Sequence, residues 1–403
     1  MQPSNSPAAA RVDFVDALRG FALFGVFGAN LLIFSGYIYM SDQRAMLPTA
    51  RVDHIVELIE LVFIENKFMG LFSFLFGVSF WLFLDRARSR GADGIRLFYR
   101  RLAWLFVIGA VHGWLFWLWD ILRFYALWGL LLPLFLRISN RALLSLALFF
   151  AVLAPALIGG FRSLLMDPVT PRTVLNALAL ATFSSGTYDE VLYVNWLYDL
   201  DITFSVNQIG YQVAVLGRLL LGLYAARRLL HVELERHHKL FRGLLIGGAI
   251  IGIAFNLVIA LRYLDTPVPG GFVLPFSRRL IAQSGYLALT LAYASALALL
   301  FQRSRWRKYL LMFVPVGRMA LTCYLLQTLL GLWLFYGFMP GPKLMGKVGP
   351  AWLVLAWVIG YFIQLWLASV WLRHYRFGPA EWLWRSLTYW KRQSLRANTA
   401  AAN

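Results

Sequence analysis

Long apolar runs dominate this sequence and limit its possible folds more than any other feature. Runs of about twenty residues recur along the chain, separated by short arginine-rich segments. A helix of about twenty apolar residues crosses the ~30 Å hydrocarbon core of a bilayer. Only 14% of the residues are charged, whereas about a quarter are charged in a typical soluble protein. The sequence therefore predicts an all-α polytopic transmembrane bundle that forms a single integral-membrane domain over residues 1–403.

Ten transmembrane helices are predicted, with boundaries uncertain by several residues. They span residues 17–39, 68–84, 102–119, 121–137, 142–161, 207–226, 243–261, 280–301, 318–338 and 351–373. Pro315 and Gly317 are expected to separate a short interfacial helix from the ninth span.

Arginine is concentrated in alternate loops of this ten-span arrangement. The basic segments are 86–101, 137–141, 227–242, 303–308 and the tail after Arg373, and the intervening loops are 40–67, 162–206, 262–279 and 339–350. Because cytoplasmic loops carry the excess of Lys and Arg, both termini are predicted to be cytoplasmic.

The formal net charge of +19 does not indicate a nucleic-acid partner. The basic residues lie in short loops between apolar runs, where they set topology and contact anionic lipid headgroups. No basic face on a soluble fold accompanies them. The single cysteine, Cys323, excludes an internal disulfide.

Two segments outside the predicted spans carry a mixed pattern. The long extracytoplasmic loop 162–206 contains RTVLNALALATF, which fits an interfacial helix, and then four acidic residues among aromatic ones. Such a loop could cover a site, although a plain linker is the commoner explanation. The tail 374–403 has three tryptophans among arginines and is predicted to be a cytoplasmic amphipathic segment at the membrane interface.

Polar residues at membrane depth are the best candidates for function, because each costs several kcal/mol to bury in lipid. Arg19 and Asn30 are about three turns apart and share one helix face. His112 and Arg218 are each about 15 Å into their spans, close to the bilayer midplane. The alternatives are that His112 is a structural residue bonded to a carbonyl and that Arg19 reaches the lipid headgroups.

Four charged residues are predicted at the outward ends of spans. Asp120 and Arg123 flank the turn between the third and fourth spans, where a local ion pair is the simplest interpretation. Glu65 and Lys67 lie at the outward end of the second span and could line the same outer opening as Asp120 and Arg123. A carboxylate that orients or deprotonates a substrate is the alternative role for Asp120.

In the ninth span, Tyr324 and Gln327 are three residues apart and share a face. They could contact a ligand or join neighbouring helices. Arg318 marks the cytoplasmic end of the same span.

A metal site is not expected. His231, Glu235 and His238 could share one face of a cytoplasmic helix, but no CxxC or HExxH motif accompanies them. A solvated connector is the favoured interpretation of that segment.

Several motifs together resemble those of the YeiB-like bacterial membrane proteins. In chain order they are VDALRGFALFGVFGANL, ENKFMGLFSFLFG, GAVHGWLFWLWDILRFYALWG, PVGRMALTCYLLQ and FGPAEWLWRSLTY, and the resemblance covers residues 11–389. It implies a multi-pass protein of the bacterial cytoplasmic (inner) membrane.

The opening motif also resembles that of transmembrane acyltransferases such as heparan-α-glucosaminide N-acetyltransferase and the envelope sugar O-acetyltransferases. That resemblance implies transfer of an acyl group, with acetyl as the expected one, from cytoplasmic acyl-CoA to an extracytoplasmic or membrane-embedded hydroxyl or amine acceptor. The sugar O-acetyltransferases have an Arg followed eleven residues later by a His. Here Arg19 matches the Arg, but position 30 is Asn.

The hypothesis that follows assigns a role to each candidate. Arg19, Arg100, Arg101 and Arg318 would bind the phosphates of acyl-CoA. His112 would be the general base, Asp120 would orient it, and Asn30 would donate a hydrogen bond to the oxyanion.

The sequence also gives expectations for the substrate path, the oligomeric state and an alternative function. The residues Glu65, Lys67, Arg123, Arg218, Tyr324 and Gln327 are expected to line the substrate path. A homodimer is possible by analogy with related acyltransferases. The alternative function is a transporter or flippase for a small anionic metabolite or lipid.

Overall fold

The computed structural model describes residues 7–165, 172–204, 206–229, 234–263 and 273–396. Regular structure in these residues is helical, apart from an isolated bridge between Tyr375 and Arg396. The α-helices are α1 (Pro7–Phe34), α2 (Ala50–Phe63), α3 (Lys67–Arg88), α4 (Gly94–Leu115), α5 (Leu122–Gly129), α6 (Asn140–Leu148), α7 (Ala154–Leu165), α8 (Arg172–Ser185), α9 (Tyr188–Phe204), α10 (Val206–Leu229), α11 (His238–Tyr263), α12 (Val273–Phe301), α13 (Ser304–Leu310), α14 (Val314–Arg318), α15 (Ala320–Phe335), α16 (Pro350–His374) and α17 (Pro379–Tyr389).

Within the described residues, seven helical segments are long and apolar enough to cross a membrane, or eight when one bent pair counts as a span. They contain α1, α2 with α3, α6 with α7, α10, α11, α12 and α16. The chain is therefore a multi-pass membrane protein. The predicted spans 17–39, 68–84, 142–161, 207–226, 243–261, 280–301 and 351–373 fall largely within these segments.

The other three predicted spans have a different form. The third ends at Leu115, because the chain leaves the helix there and folds back. The fourth contains the eight-residue helix α5 followed by a short 3-10 helix, Leu132–Leu136. The ninth is the bent pair, which turns by 78° between the segment ending at Arg318 and α15. Pro315 and Gly317 lie just before this bend, as predicted.

The basic segments contact one another at one end of the bundle. Arg227, at the end of α10, donates to the Ile138 carbonyl, and the Trp384 indole of α17 donates to the Arg101 carbonyl at 2.8 Å. Gly317 packs so closely on the Asp16 carbonyl that a Cβ there would collide with it. Residues that the sequence assigns to one side of the membrane thus lie together.

The segments predicted for the opposite side also meet one another. The Trp119 indole donates to the Tyr39 hydroxyl at 3.0 Å, and Asp53 of α2 accepts from the Ala351 amide at the start of α16. The Gly337 amide bonds the Phe183 carbonyl of α8. The segments predicted to face outward therefore form a folded layer, here called the outward layer, to which α8 belongs.

Helix α1 runs parallel to α15 and packs against it. Asp16 lies at Gly317, and the Phe34 ring packs directly on the backbone of Gly331. Helices α3 and α10 form a second close pair, because Gly77 lets the Leu219 carbonyl approach where any Cβ would collide. These two pairs position the polar groups described next.

Candidate functional site

A buried polar cluster forms where the chain folds back after α4. His112, in the last turn of α4, is 3% exposed, and Asp120 is 1% exposed. The His112 Nδ1 lies 2.9 Å from the Asp120 Oδ1, and the His112 Nε2 lies 2.9 Å from the Thr328 Oγ1 of α15. The imidazole is therefore fixed between a carboxylate and a hydroxyl.

The contact with Asp120 places a proton on the His112 Nδ1, because a carboxylate can only accept a hydrogen bond. In the neutral ring the Nε2 carries no proton and accepts from the Thr328 hydroxyl. That hydroxyl has a second acceptor in the Tyr324 carbonyl, at 3.5 Å. A neutral His held in this way has its basic nitrogen on the side facing α15.

Arg123 extends the cluster to the outward layer. The second oxygen of Asp120 accepts from the Arg123 amide at 2.9 Å. The Arg123 guanidinium binds both oxygens of Asp199, on α9, at 2.9 and 2.7 Å. The Trp114 indole also donates to Asp199 at 3.0 Å. A continuous chain of hydrogen bonds thus joins Thr328 to Asp199 through His112, Asp120 and Arg123.

Asp120 and Arg123 form the local ion pair that is the simplest interpretation of the sequence, with 3.5 Å between the Asp120 Oδ2 and the Arg123 Nε, but the pair is buried. Arg123 is only 5% exposed, because the turn folds inward and two carboxylates neutralise the guanidinium. The Gly113 backbone lies against that guanidinium, where a Cβ would come within 2.8 Å of it. The site therefore includes three of the ionisable residues in the motif GAVHGWLFWLWDILRFYALWG.

The contribution of α15 was predicted only in part. The Tyr324 ring centroid lies 5.1 Å from that of His112, as expected for a site residue. Gln327 instead faces α16 and donates to Gln364 at 2.8 Å. Thr328 was missed, although it lies four residues after Tyr324 and therefore shares its face.

Asn30 lies at the depth of the cluster. Phe34, four residues later on the same face, stacks on Trp117 at 4.2 Å between centroids. Because Phe34 is level with Gly331, Asn30 is about 6 Å below it, at the level of Thr328. The Asn30 Oδ1 and the Trp117 Nε1 are buried and have no hydrogen-bond partner among the described residues. Both atoms are available to a polar ligand near His112.

Arg19 lies at the basic end of the bundle. Its guanidinium binds Asp16 at 2.6 Å, the Gly317 carbonyl at 3.2 Å and the Ser79 hydroxyl at 2.8 Å. Arg318 lies near the tail, where it donates to the Arg376 carbonyl at 3.4 Å.

Arg100 and Arg101 are covered by the tail helix α17 and the residue that follows it. The Arg101 guanidinium lies 3.8 Å from the Trp384 ring centroid, and that of Arg100 lies 5.2 Å from Trp390. The Nε and Nη2 atoms of Arg100 are buried without a hydrogen-bond partner in the described chain. These arginines are therefore held by cation–π contacts at the basic end.

Glu381 of α17 caps the N-terminus of α15. Its Oε1 accepts from the amides of Leu321 and Thr322 at 2.6 and 3.1 Å, and its Oε2 accepts from the Thr322 hydroxyl at 2.6 Å. Burial raises the pKa of Glu381, and these hydrogen bonds oppose the shift. Since Trp384 is bonded to α4, the tail helix links the two helices that carry His112 and Thr328.

Arg218, Glu65 and Lys67 belong to a different region. The Arg218 Nη2 donates to the Gln283 Oε1 of α12 at 3.2 Å. Lys67 is fully buried, bonds the Leu61 carbonyl and lies 4.8 Å from the Tyr286 ring centroid. These contacts of Arg218 and Lys67 are with α12 and with the Leu61 carbonyl of α2, and none of them is with Asp120 or His112.

The segment considered for a metal is described only in part. His231 lies outside the described residues. Within the ranges that the structure covers, no three His, Cys, Asp or Glu side chains are grouped to hold a metal ion.

Comparison with known proteins gives the family. Residues 225–391 match the family model described as a protein of unknown function (DUF418). The chain is 32% identical to the uncharacterized protein YxaH of Bacillus subtilis (strain 168), over 96% of this chain and 97% of that protein. It is 30% identical to the uncharacterized protein YeiB of Escherichia coli (strain K12), over 93% and 95%.

The chain belongs to the YeiB-like, DUF418-containing family. No solved structure matches it. The chain spans nearly the full length of these relatives, so the relationship extends beyond residues 225–391 to the N-terminal half of the chain.

Proposed function

We propose that this protein is a transmembrane acyltransferase that uses His112 as its general base. The observation that supports this proposal is the buried Asp120–His112–Thr328 arrangement, with two contacts of 2.9 Å. A base needs an unprotonated nitrogen within hydrogen-bond reach of the proton that it removes. The Thr328 hydroxyl marks a position from which an acceptor hydroxyl or amine could reach the His112 Nε2.

The reaction would proceed by direct attack on a thioester. The acceptor oxygen or nitrogen bonds to the acyl carbonyl carbon while the His112 Nε2 takes its proton. The carbon–sulfur bond then breaks, and the same proton passes to the leaving thiolate. Asp120 stabilises the imidazolium between these steps. Asn30, at the same depth, would donate its side-chain N–H to the developing oxyanion.

The proposed topology has ten spans and cytoplasmic termini in the bacterial inner membrane. It is supported by the contacts among the basic segments at one end of the bundle, since such segments are retained in the cytoplasm. Acyl-CoA, with acetyl-CoA as the proposed donor, would therefore approach the end that carries Arg19, Arg100, Arg101 and Arg318.

Fixed positive charge at this end suits the phosphates of CoA. Arg100 has guanidinium nitrogens without a hydrogen-bond partner in the described chain. Arg101 interacts electrostatically with Arg19 and Arg385. A cluster of like charges is stabilised when an anion binds it, which supports the donor site at this end.

Consumption of acetyl-CoA by the purified protein tests the proposal. Wild-type protein in liposomes of bacterial lipid is expected to release free CoA, and His112→Gln is expected to slow release by at least about a hundredfold. His54→Gln is the matched control, because His54 is exposed on α2. Folded His112→Gln protein with wild-type activity would rule out this base.

The transport alternative makes a different prediction. Uptake of an anionic solute into proteoliposomes without acyl-CoA, combined with no release of CoA, would favour a transporter over the enzyme.

A further inference from the structure

A second polar region lies between α3, α10 and α12, and the acyl-transfer proposal does not use it. Its central residue is Arg218 of α10, which is 1% exposed. The Arg218 Nη1 has no hydrogen-bond partner in the described chain, and the Nη2 has only the neutral Gln283. No Asp or Glu among the described residues is recorded within 4.0 Å of this guanidinium. A buried cation without a counter-ion is costly.

Three tyrosines lie near enough to this cation to interact with it electrostatically. Tyr211, Tyr125 and Tyr286 interact electrostatically with Arg218 and contribute hydroxyls rather than charge. Tyr125 also accepts from the Ser73 hydroxyl at 3.0 Å. The Tyr125 hydroxyl donates to the Met69 carbonyl at 3.3 Å, and the Tyr211 hydroxyl donates to the Met69 Sδ at 3.5 Å. The Arg218 guanidinium is therefore the group with an unused donor, and a guanidinium binds oxyanions strongly.

Parts of this region lie at the surface of the bundle. Tyr211 and Tyr286 are partly exposed, and Glu65 is exposed. A Cβ built on Gly70 would lie 3.5 Å from the Arg218 Nε, so the backbone of α3 forms this side of the region.

The balance of charge indicates what the cleft binds. Lys67 and Glu65 interact with each other and are of opposite sign. Arg279, one turn before Gln283 on α12, adds a further cation that interacts with Tyr286. The positive charge of Arg218 therefore has no compensation from the described groups around it. A ligand with one negative charge would balance it.

From this geometry we infer that Arg218 is the anchor of a binding site for a phosphate-type oxyanion in the cleft between α3, α10 and α12. The anion is the headgroup of a membrane lipid or free phosphate, since both present the same oxygens to a guanidinium. Arg218 forms the charge-assisted bonds, Gln283 orients it, and Tyr211 and Tyr286 line the approach.

Ligand binding to detergent-purified, delipidated protein tests this site. The probes are dioleoylphosphatidylglycerol, dioleoylphosphatidylcholine and sodium phosphate, and the readouts are the rise in melting temperature and bound copies per chain by native mass spectrometry. A ligand that binds only the folded state raises its melting temperature. Tight binding of phosphatidylglycerol assigns the site to a lipid headgroup, and tight binding of inorganic phosphate assigns it to the free anion.

Two variants connect the binding to Arg218. Arg218→Gln is expected to weaken binding of the anion by at least about tenfold. Arg227→Gln, on the same helix, makes the same change of charge at the basic end and is expected to bind within about twofold of wild type. If Arg218→Gln fails to fold, Arg218→Lys keeps the charge but loses the planar fork, and it should weaken binding by a smaller factor.

Two results would overturn the inference. One is that Arg218→Gln binds phosphatidylglycerol or phosphate as tightly as wild type does. If Arg218→Gln does not fold, the same result with Arg218→Lys counts instead. The other is no binding of either anion by wild-type protein. Neither result depends on acyl transfer, so the site and the proposed enzyme can fail separately.

Discussion

The His112 cluster and the Arg218 cleft both place charged groups deep in the bundle, but they compensate that charge differently. Around His112, the Arg123 guanidinium is bound by Asp199 and contacts Asp120, and each ring nitrogen of His112 has a partner. Around Arg218, the described contacts are a neutral amide and phenols. The charges of the His112 cluster are paired within the protein, whereas the Arg218 guanidinium has no counter-ion among the described residues.

This difference separates two roles for polar groups in a membrane. A catalytic base gains from a fixed environment, because hydrogen bonds that are already oriented need no rearrangement during reaction. A binding residue gains from incomplete pairing, because its unused donors form their bonds only with the ligand. The Tyr125 side chain lies between the two regions and interacts electrostatically with both Arg218 and Asp120.

Removing Arg123 should give the largest loss of stability. Arg123→Met leaves Asp120 and Asp199 buried without their cation, and breaking a buried pair in this way costs about 3–5 kcal/mol. Thermal or SDS-induced unfolding measures the loss. Arg51→Met, at an exposed site on α2, should change stability by less than about 0.5 kcal/mol. Equal effects of the two substitutions would show that the cluster is not a paired unit.

Removing Arg218 should have the opposite effect on stability in protein without bound lipid. Arg218→Met deletes an uncompensated buried cation and keeps an apolar side chain, so stability should stay equal or rise by up to about 2 kcal/mol. The same unfolding measurement applies, after delipidation. A loss as large as that of Arg123→Met would mean that the protein itself compensates Arg218.

The hydroxyl beside His112 should have a smaller effect. Thr328→Val leaves the His112 Nε2 without a hydrogen bond and should cost about 1–3 kcal/mol. Thr328→Ser keeps the hydroxyl and should be close to neutral. Unfolding of both variants gives the comparison. Equal stability of the valine and serine variants would argue that the 2.9 Å contact contributes nothing.

The tail helix should give the smallest effect, and one that depends on pH. The pKa of Glu381 is raised above its ordinary value of 4.5 by burial, so the native state holds this proton more tightly than the unfolded state. The stability that it contributes is present at low pH and is lost as the pH rises above about 4.5. Melting temperatures of wild type and Glu381→Gln should be measured as the pH rises above about 4.5. The decline in melting temperature is expected only in wild type. A parallel decline in both proteins would assign it to other groups.

Hydropathy and loop charge predict much of the fold because both depend on local composition. Seven of the predicted spans lie in long apolar helices of the structure. The chain reversal after Leu115 could not be predicted in this way. It is fixed by the Asp120 side chain, which accepts from the Arg123 amide and faces His112, and such contacts depend on tertiary packing.

The candidate site was predictable only where a residue is unusual in lipid. His112 was found because ionisable groups are rare at this depth, and Asp120 was found as a charged residue at the turn after the third predicted span. Thr328 was missed because Thr is common in transmembrane helices and bonds its own backbone there. Asp199 stood among four acidic residues of an outward loop, and the sequence did not show which of them would reach Arg123.

The turnover number of Asp120→Asn with acetyl-CoA tests the central claim most directly. An amide at position 120 would donate to the His112 Nδ1, so the ring proton would move to Nε2 and remove the base. The account predicts that kcat falls by about a hundredfold or more with KM for acetyl-CoA nearly unchanged. A folded Asp120→Asn protein with the wild-type kcat would contradict it.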